Sequence, residues 1–290
     1  MTLQNIYNQI TRVLVPLYGL REAAAVASRL LDELYGFTKL YRLLNGKEEI
    51  SEDLTEDILT KAGKLATGIP VGYITGNQEF MGRDFSVNPD VLIPRGETEE
   101  LVQLVVLEND MEPQLRIVDM GTGSGAIAVS LALELPRAEV EAWDISTRAL
   151  ETACRNAEAL SADIKLREID ILNLEPVRPT WDIIVSNPPY VCQSEKELMH
   201  RNVIEHEPHE ALFVSDDDPL LFYRSIAQYA IGALKPEGKI YLEINERFGK
   251  QVAKLLESQG FRDVRIIKDI HSKERIVAAI KAAVKGKSGS

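Results

Sequence analysis

The stretch Leu115-Arg116-Ile117-Val118-Asp119-Met120-Gly121-Thr122-Gly123-Ser124-Gly125 decides the fold class. Residues 115–119 read as an apolar strand, the three glycines as a tight turn, and the apolar residues through Leu133 as a helix that the turn opens. Such a turn lets a ligand approach the backbone closely, and the helix N-terminus favours negative charge. The alternation continues on both sides of this stretch. Leu101, Val102, Val105 and Val106 mark a helix before the strand. Further strands are expected at 140–143, 164–169, 183–186, 239–244, 261–267 and 275–280. Helices are expected from Ser146 to about 160, near 218–233 and at about 247–258. Strands alternating with helices predict an α/β fold with a doubly wound, mostly parallel sheet. Only residues 268–274 join the last two strands. That is too short for a parallel crossover, so this pair is expected to be antiparallel.

Residues 1–68 carry helical periodicity only. Leu3, Ile6, Tyr7, Ile10, Val13 and Leu14 form one stripe, expected to end at Pro16. Val26, Ala27, Leu30, Leu31 and Leu34 form a second, closed by Gly36. Phe37, Leu40, Tyr41 and Leu44 form a third, and Leu54, Ile58, Ala62, Leu65 and Ala66 a fourth. Asp53 is the expected N-cap of the fourth, and Gly68 lies just past its end. Four short helices can form a small bundle with its own core. Between 69 and 95 Gly and Pro recur, and the segments around Met81-Gly82-Arg83 read as a hairpin. The expected organisation is a helical, protein-substrate-binding domain at 1–68 and a linker with a β-hairpin at 69–95. A sheet domain at 96–284 and a disordered tail at 285–290 complete it.

Composition narrows the class. The 290 residues are 45% hydrophobic and 27% charged, as in an ordinary globular protein. No run approaches the ~18 apolar residues of a membrane span, and the N-terminus lacks the regions of a signal peptide. Cys154 and Cys192 are the only cysteines. They form no C-x-x-C pair, so a disulfide framework or cysteine zinc site is not expected, and a reducing cytoplasm fits. The net charge of −12 opposes broad binding to bare nucleic acid, which needs a basic face.

The ends of the expected strands carry the chemistry. Gly121, Gly123 and Ala126 satisfy G-x-G-x-x-G/A, a weak dinucleotide signal by itself, and no phosphate-cradling G-x-x-x-x-G-K-[ST] occurs. Asp144 ends the second strand. It could accept both ribose hydroxyls of a dinucleotide or an adenosyl group, or act only as a helix-capping carboxylate. Asp170 ends the third strand and could accept from an adenine amino group, or be a solvated loop acid. Asn187-Pro188-Pro189-Tyr190 follows the fourth. Pro188 holds Asn187 extended, and the two prolines make a rigid turn that presents carbonyl acceptors. The Asn187 side-chain oxygen is a further acceptor, and Tyr190 a flat face for stacking. Rigid acceptors beside an aromatic suit a planar –NH2 group. A nicotinamide enzyme would need a hydride-handling residue there instead.

Asp119-Met-Gly-Thr-Gly-Ser-Gly, Asp144, Asp170 and Asn187-Pro-Pro-Tyr resemble an S-adenosylmethionine-dependent methyltransferase of the seven-stranded class I type that modifies planar amino groups. Ile93-Pro-Arg-Gly-Glu-Thr-Glu99, with Glu79-Phe80, Glu207-Pro208, Ala211-Leu212, Leu234-Lys-Pro and Arg275, is similar to the glutamine methyltransferases that act on peptide-chain release factors. The resemblance spans nearly the whole chain. It implies methyl transfer from S-adenosyl-L-methionine to the side-chain amide of a glutamine, leaving S-adenosyl-L-homocysteine. Asn187, Pro188, Pro189 and Tyr190 would hold the acceptor. Gly121, Thr122, Gly123, Ser124, Gly125, Asp144, Asp170 and Ile171, with Asn187, would hold the cofactor. A release factor is the implied partner, its Gly-Gly-Gln loop the implied target, and a cytoplasmic monomer without metal or membrane attachment is expected. Gly96 stands where the family usually has Pro, and Glu237 where it usually has Gly.

Four other readings are weaker. His206-Glu-Pro-His209 invites a metal, but Pro208 breaks any helix that would align the two histidines, and no third ligand is evident. Cys192 lies close to Tyr190, but methyl transfer needs no covalent intermediate. A nucleic-acid base methyltransferase shares Asn-Pro-Pro-Tyr, yet residues 1–75 hold eight basic against nine acidic residues, and a domain gripping nucleic acid should be basic. A binding module without turnover would have no need of the acceptor cluster.

Overall fold

The computed structural model describes residues 1–283 apart from 113 and 176; the tail expected at 285–290 lies outside the described residues. The chain begins with α1 (Leu3–Tyr35), α2 (Lys39–Asn45), α3 (Glu52–Ala66) and α4 (Val71–Thr75). The first two expected stripes belong to α1, which runs through Pro16 and breaks at Gly19 (φ 72, ψ 168). Proline removes one hydrogen bond, whereas a backbone with positive φ is open to glycine at little steric cost, so the break falls at Gly19. Leu3, Ile6, Ile10, Leu14, Ala23, Leu30 and Leu31 are all buried and meet Ile58 and Leu65 of α3 in one core. The N-cap of α3 is Ser51, whose Oγ accepts from the Leu54 N–H at 3.4 Å, and not Asp53. Asp53 sits inside the first turn with Glu52, where the helix dipole favours acids. The five-residue α4 is too short to show a periodic stripe.

The strands β1 (Asn77–Phe80) and β2 (Arg83–Ser86) pair around Met81-Gly82 as the expected hairpin. The Glu99 carboxylate accepts from the Met81 N–H at 2.7 Å, tying the turn to the next helix, α5 (Gly96–Leu107). There follow β3 (Arg116–Met120), α6 (Ala126–Glu134), β4 (Glu139–Asp144), α7 (Thr147–Leu160), β5 (Ile164–Glu168), β6 (Trp181–Ser186) and β7 (Val191–Cys192). Then come α8 (Arg201–His206), α9 (His209–Leu212), β8 (Phe213–Val214), α10 (Leu221–Ala233), β9 (Leu234–Glu243), α11 (Gly249–Ser258), β10 (Phe261–Lys268) and β11 (Glu274–Lys281).

Seven strands form one sheet in the order β10-β11-β9-β6-β3-β4-β5. All neighbours are parallel except β11, which is antiparallel to both β9 and β10, as the short final connection requires. Apolar side chains alternate between the two faces. Ile117, Ile183, Val185 and Tyr241 join the core under α5 and α6, while Val118, Ile184, Ile240 and Leu242 join that under α10 and α11. Continuous apolar strands are what a sheet covered on both faces demands.

Strand β9 starts five residues earlier than its apolar run suggested. Trp181 pairs with Leu234 and Ile183 with Lys239, so extra β9 residues are accommodated as an irregularity. Glu237, standing where the family usually has glycine, has φ 67 there. Gly96 is the first residue of α5, a Cβ on it would meet nothing within 4 Å, and Arg95 before it is extended (φ −106, ψ 149). Proline suits that position, and an extended predecessor tolerates it. Gly96→Pro should therefore raise stability by about 0.4–1 kcal/mol, read as a higher Tm.

The chain divides into two compact units. One comprises Met1–Asn77 with Met199–Glu207, and the other Gln78–Leu198 with the described residues from Pro208 onward. In the first unit, Gly68 (φ 99) lies beside α8: a Cβ on it would come 3.5 Å from His206 Nε2. His206 and His209 fall in different helices on either side of Pro208. No helix among the described residues is long and apolar enough to cross a membrane.

Candidate active site

Strand order reverses around β3: β4 and β5 lie to one side of it, β6 and β9 to the other. The crevice at the carboxyl ends of β3 and β6 is where a doubly wound sheet binds its ligand. A cavity of about 450 Å³ opens there. Gly121, Thr122, Gly123 and Ser124 line it from the loop after β3, Asp144 and Ile145 from β4 onward, and Asp170 and Ile171 from beyond β5. Asn187 and Pro189 follow β6, and Arg95, Thr98 and Phe222 also line it. Gly125, Pro188 and Tyr190 are not among the lining residues.

The glycine loop has two jobs. Gly121 (φ 78) and Gly123 (φ 55) line the cavity, and a Cβ on either would project where nothing lies within 4 Å. Gly125 (φ 81) faces inward, and a Cβ on it would come within 3.0 Å of the Ala153 Cβ on α7. Its hydrogen atom thus permits close packing of the helix behind the loop.

Asp144 is a bridge and not the helix cap. Its Oδ2 accepts from the Gly123 N–H at 2.8 Å and its Oδ1 from the Ser146 N–H at 2.9 Å. Ser146 caps α7, its Oγ accepting from the Ala149 N–H at 3.2 Å. Each carboxylate oxygen keeps a lone pair for a further donor. Desolvation raises the Asp144 pKa above the usual carboxylate value, and the N–H bonds from Ser146 and Gly123 oppose that shift. Asp170 accepts from the Leu172 N–H at 2.8 Å and from Asn173 Nδ2 at 2.5 Å, so it organises its own turn at the cavity edge.

Asp119 lies wholly buried below the loop, its Oδ2 accepting from Thr122 Oγ1 at 2.6 Å. Burial, reinforced by the Asp144 charge, pushes its carboxyl up to about 7 from 3.8, against the Thr122 bond. The folded chain then holds this proton more tightly than the unfolded chain. Asp119 therefore costs stability as pH rises from 3.8 through about 7. In urea titrations of the cofactor-free protein, Asp119→Asn should gain on the wild type over that window and level off above it. A constant difference across the window would contradict the shift.

The Asn187-Pro-Pro-Tyr turn is held from behind by two residues distant in sequence. Asn187 Nδ2 donates to Thr98 Oγ1 at 3.2 Å, and Thr98 Oγ1 donates to Glu243 Oε2 at 2.7 Å. The Tyr190 hydroxyl donates to Glu243 Oε1 at 3.0 Å, and its ring packs against the core under α10. Burial and the Glu243 charge push the Tyr190 phenol far above its ordinary value. Glu243, 1% exposed, is raised by burial, while the Thr98 and Tyr190 hydroxyls and Arg275 pull it back. Thr98 stands in the Ile-Pro-Arg-Gly-Glu-Thr-Glu stretch, and Glu243 ends β9 at the carboxyl edge of the sheet. Both positions signalled the site, yet neither was among the residues expected to form it; nor was Phe222.

These residues fit an adenosyl cofactor: a mostly apolar crevice, an open glycine cradle, and a carboxylate with spare acceptor sites at the second strand's end. The methyltransferase small domain family model matches residues 99–212. A methyltransferase structure from Pyrococcus furiosus shares the fold with a TM-score of 0.51 at 17% identity, covering 80% of this chain and all of that one (100%). Fold and site together define an S-adenosylmethionine-dependent methyltransferase of the seven-stranded class. A release factor glutamine methyltransferase of Bacteroides thetaiotaomicron is 50% identical over 217 residues, 74% of this chain and 77% of that one. One from Flavobacterium psychrophilum is 39% identical over 280 residues, 96% and 98% of the two chains. The chain belongs to the release factor glutamine methyltransferase family.

Proposed function

We propose that the protein methylates the side-chain amide nitrogen of a glutamine in a peptide-chain release factor, and that this glutamine is the one in the Gly-Gly-Gln loop. One observation carries the reading: with Nδ2 engaged by Thr98, the Asn187 amide has its oxygen left to receive a donor at the cavity. When bound, S-adenosylmethionine supplies an electrophilic methyl on a sulfonium centre. An amide nitrogen is a poor nucleophile because its lone pair is delocalised into the carbonyl. Asn187 Oδ1 and the Pro188 carbonyl each accept one amide N–H and hold the nitrogen towards the incoming methyl. Positioning of this kind can supply as much as ~7–11 kcal/mol in well-oriented systems. Asp144 takes the ribose hydroxyls, Asp170 with the Ile171 backbone takes the adenine, and the glycine loop lies against the methionine portion. Tyr190 secures the turn from behind through Glu243. Incubating the enzyme with methyl-labelled cofactor and cell extract tests the acceptor class. Label on a release factor glutamine supports the reading, and label on nucleic acid bases overturns it.

The helical unit is assigned to gripping the protein substrate. It contains none of the cavity residues, and α2 exposes Leu40, Leu43 and Leu44 by 65%, 74% and 75%. Their spacing places them along one side of the helix, and clustered exposed apolar residues mark partner surfaces. Leu43→Glu combined with Leu44→Glu should lower kcat/KM on intact release factor by about 5- to 30-fold, the cost of one or two interface residues. Activity on a short glutamine peptide and cofactor affinity should not change. Equal loss on both substrates would reject this assignment.

A further inference from the structure

The reading of Asn187 leaves open what keeps its side-chain amide from turning over. A primary amide is nearly symmetric in shape, so packing alone does not distinguish its oxygen from its nitrogen. If it flipped, an NH2 group would face the acceptor's own NH2, donor against donor. We propose that Thr98 and Glu243 form a polarity relay that sets the orientation of the Asn187 amide; the inference rests on the assignment of Asn187 as the acceptor-orienting residue.

Glu243 is buried at the end of β9 and its two oxygens face two hydroxyls, Thr98 Oγ1 at 2.7 Å and Tyr190 Oη at 3.0 Å. An ionised carboxylate only accepts, so both hydroxyl protons must point at it. Arg275, itself bonded to Asp269 at 3.2 Å, adds positive charge that favours this state. Thr98 has one proton, and it is committed to Glu243. Towards Asn187 it can offer only a lone pair, so it must receive an N–H. That engages Nδ2 at 3.2 Å and leaves Oδ1 as the atom presented to the acceptor. With a partly protonated Glu243 the sense could reverse, so the two hydroxyl donors and Arg275 also protect the direction of the relay. Thr98 and Glu243 are positioning residues: they act on the reaction through Asn187.

The test uses the full-length enzyme with release factor as substrate, and measures single-turnover rate and cofactor affinity separately. Thr98→Val keeps the shape and removes the hydroxyl. It should slow methyl transfer by about 10- to 100-fold, the scale of a lost alignment at the reacting atoms, with cofactor affinity unmoved. Thr98→Ser restores the hydroxyl and should stay within about threefold of the wild type. In the presence of Asn187→Ala, Thr98→Val should cost nothing further, because the relay then has nothing to orient. If valine does not pack at this position, Thr98→Ala serves in its place. A Thr98→Val enzyme with near-normal rate beside a slow Asn187→Ala overturns the relay and leaves the Asn187 assignment standing. Independent, multiplying losses in the double variant, or a loss of cofactor affinity that accounts for the slow rate, also overturns it. A near-normal Asn187→Ala rate instead refutes the Asn187 assignment and the relay with it.

Discussion

Asn187→Ala should slow methyl transfer by on the order of 100-fold or more, comparable to removal of one preorganised polar group that acts at the reacting centre. Cofactor affinity should change far less. The reason is the direction of the side chain. Asn187 follows the buried strand β6, whose register with β3 is continuous from Ile117↔Ile183 to Met120↔Ser186, so the residue emerges at a fixed point beside the glycine loop. Pro188 after it is buried and restricts its backbone. Alanine would leave that framework in place and remove only the oriented oxygen. Single-turnover rates with saturating cofactor separate this from a binding defect. A rate within a few-fold of the wild type would mean that the backbone of the turn alone orients the acceptor.

The second large effect is on binding. Asp144→Ala should weaken cofactor affinity by roughly 10- to 100-fold, since a hydrogen bond to a charged group is worth ~1.5–3 kcal/mol. The same substitution removes the 2.8 Å bond to the Gly123 N–H, so the loop loses part of its support as well. Asp144→Asn distinguishes the two contributions. Asparagine keeps one acceptor oxygen for either role but cannot bridge loop and helix while also serving both ribose hydroxyls, so it should fall between alanine and wild type. Ser146 still caps α7, so the fold should survive both changes. Unchanged affinity by calorimetry for Asp144→Ala would confine the residue to a local structural role.

Strands β3, β4 and β6 were legible because each is a short, largely apolar run that ends in polar residues at the crevice: Asp119-Met before the glycine turn, Asp144, and Ser186-Asn187. The antiparallel edge was legible from a connection too short to cross over. Features that depend on tertiary partners were not. Pro16 looked like a helix end, but α1 continues to Gly19, where the backbone takes a positive φ. The strand expected at 239–244 begins at Leu234, because β6 pairs with Leu234 as well as with Lys239 and β9 takes up the residues between them as an irregularity. The relay of Thr98 and Glu243 joins positions 145 residues apart, and nothing in local periodicity links a threonine on α5 with a glutamate at the end of β9. Residues 191–214 form short helices and a two-residue strand pair, too brief to leave a periodic signature. The crevice rule points to the sheet edge where the cavity opens, and Glu243 lies at that same edge at the end of β9.

On the proposed function, this site transfers one methyl group to a glutamine amide in the Gly-Gly-Gln loop of a release factor. The most direct measurement is tandem mass spectrometry of purified release factor after reaction with the enzyme and S-adenosylmethionine. The expected result is a single added methyl on the side-chain nitrogen of that glutamine, with none detected when Asn187→Ala enzyme is used for the same brief reaction time. Methyl groups on lysine, arginine or the chain terminus, or on another glutamine while the Gly-Gly-Gln residue stays unmodified, would contradict it.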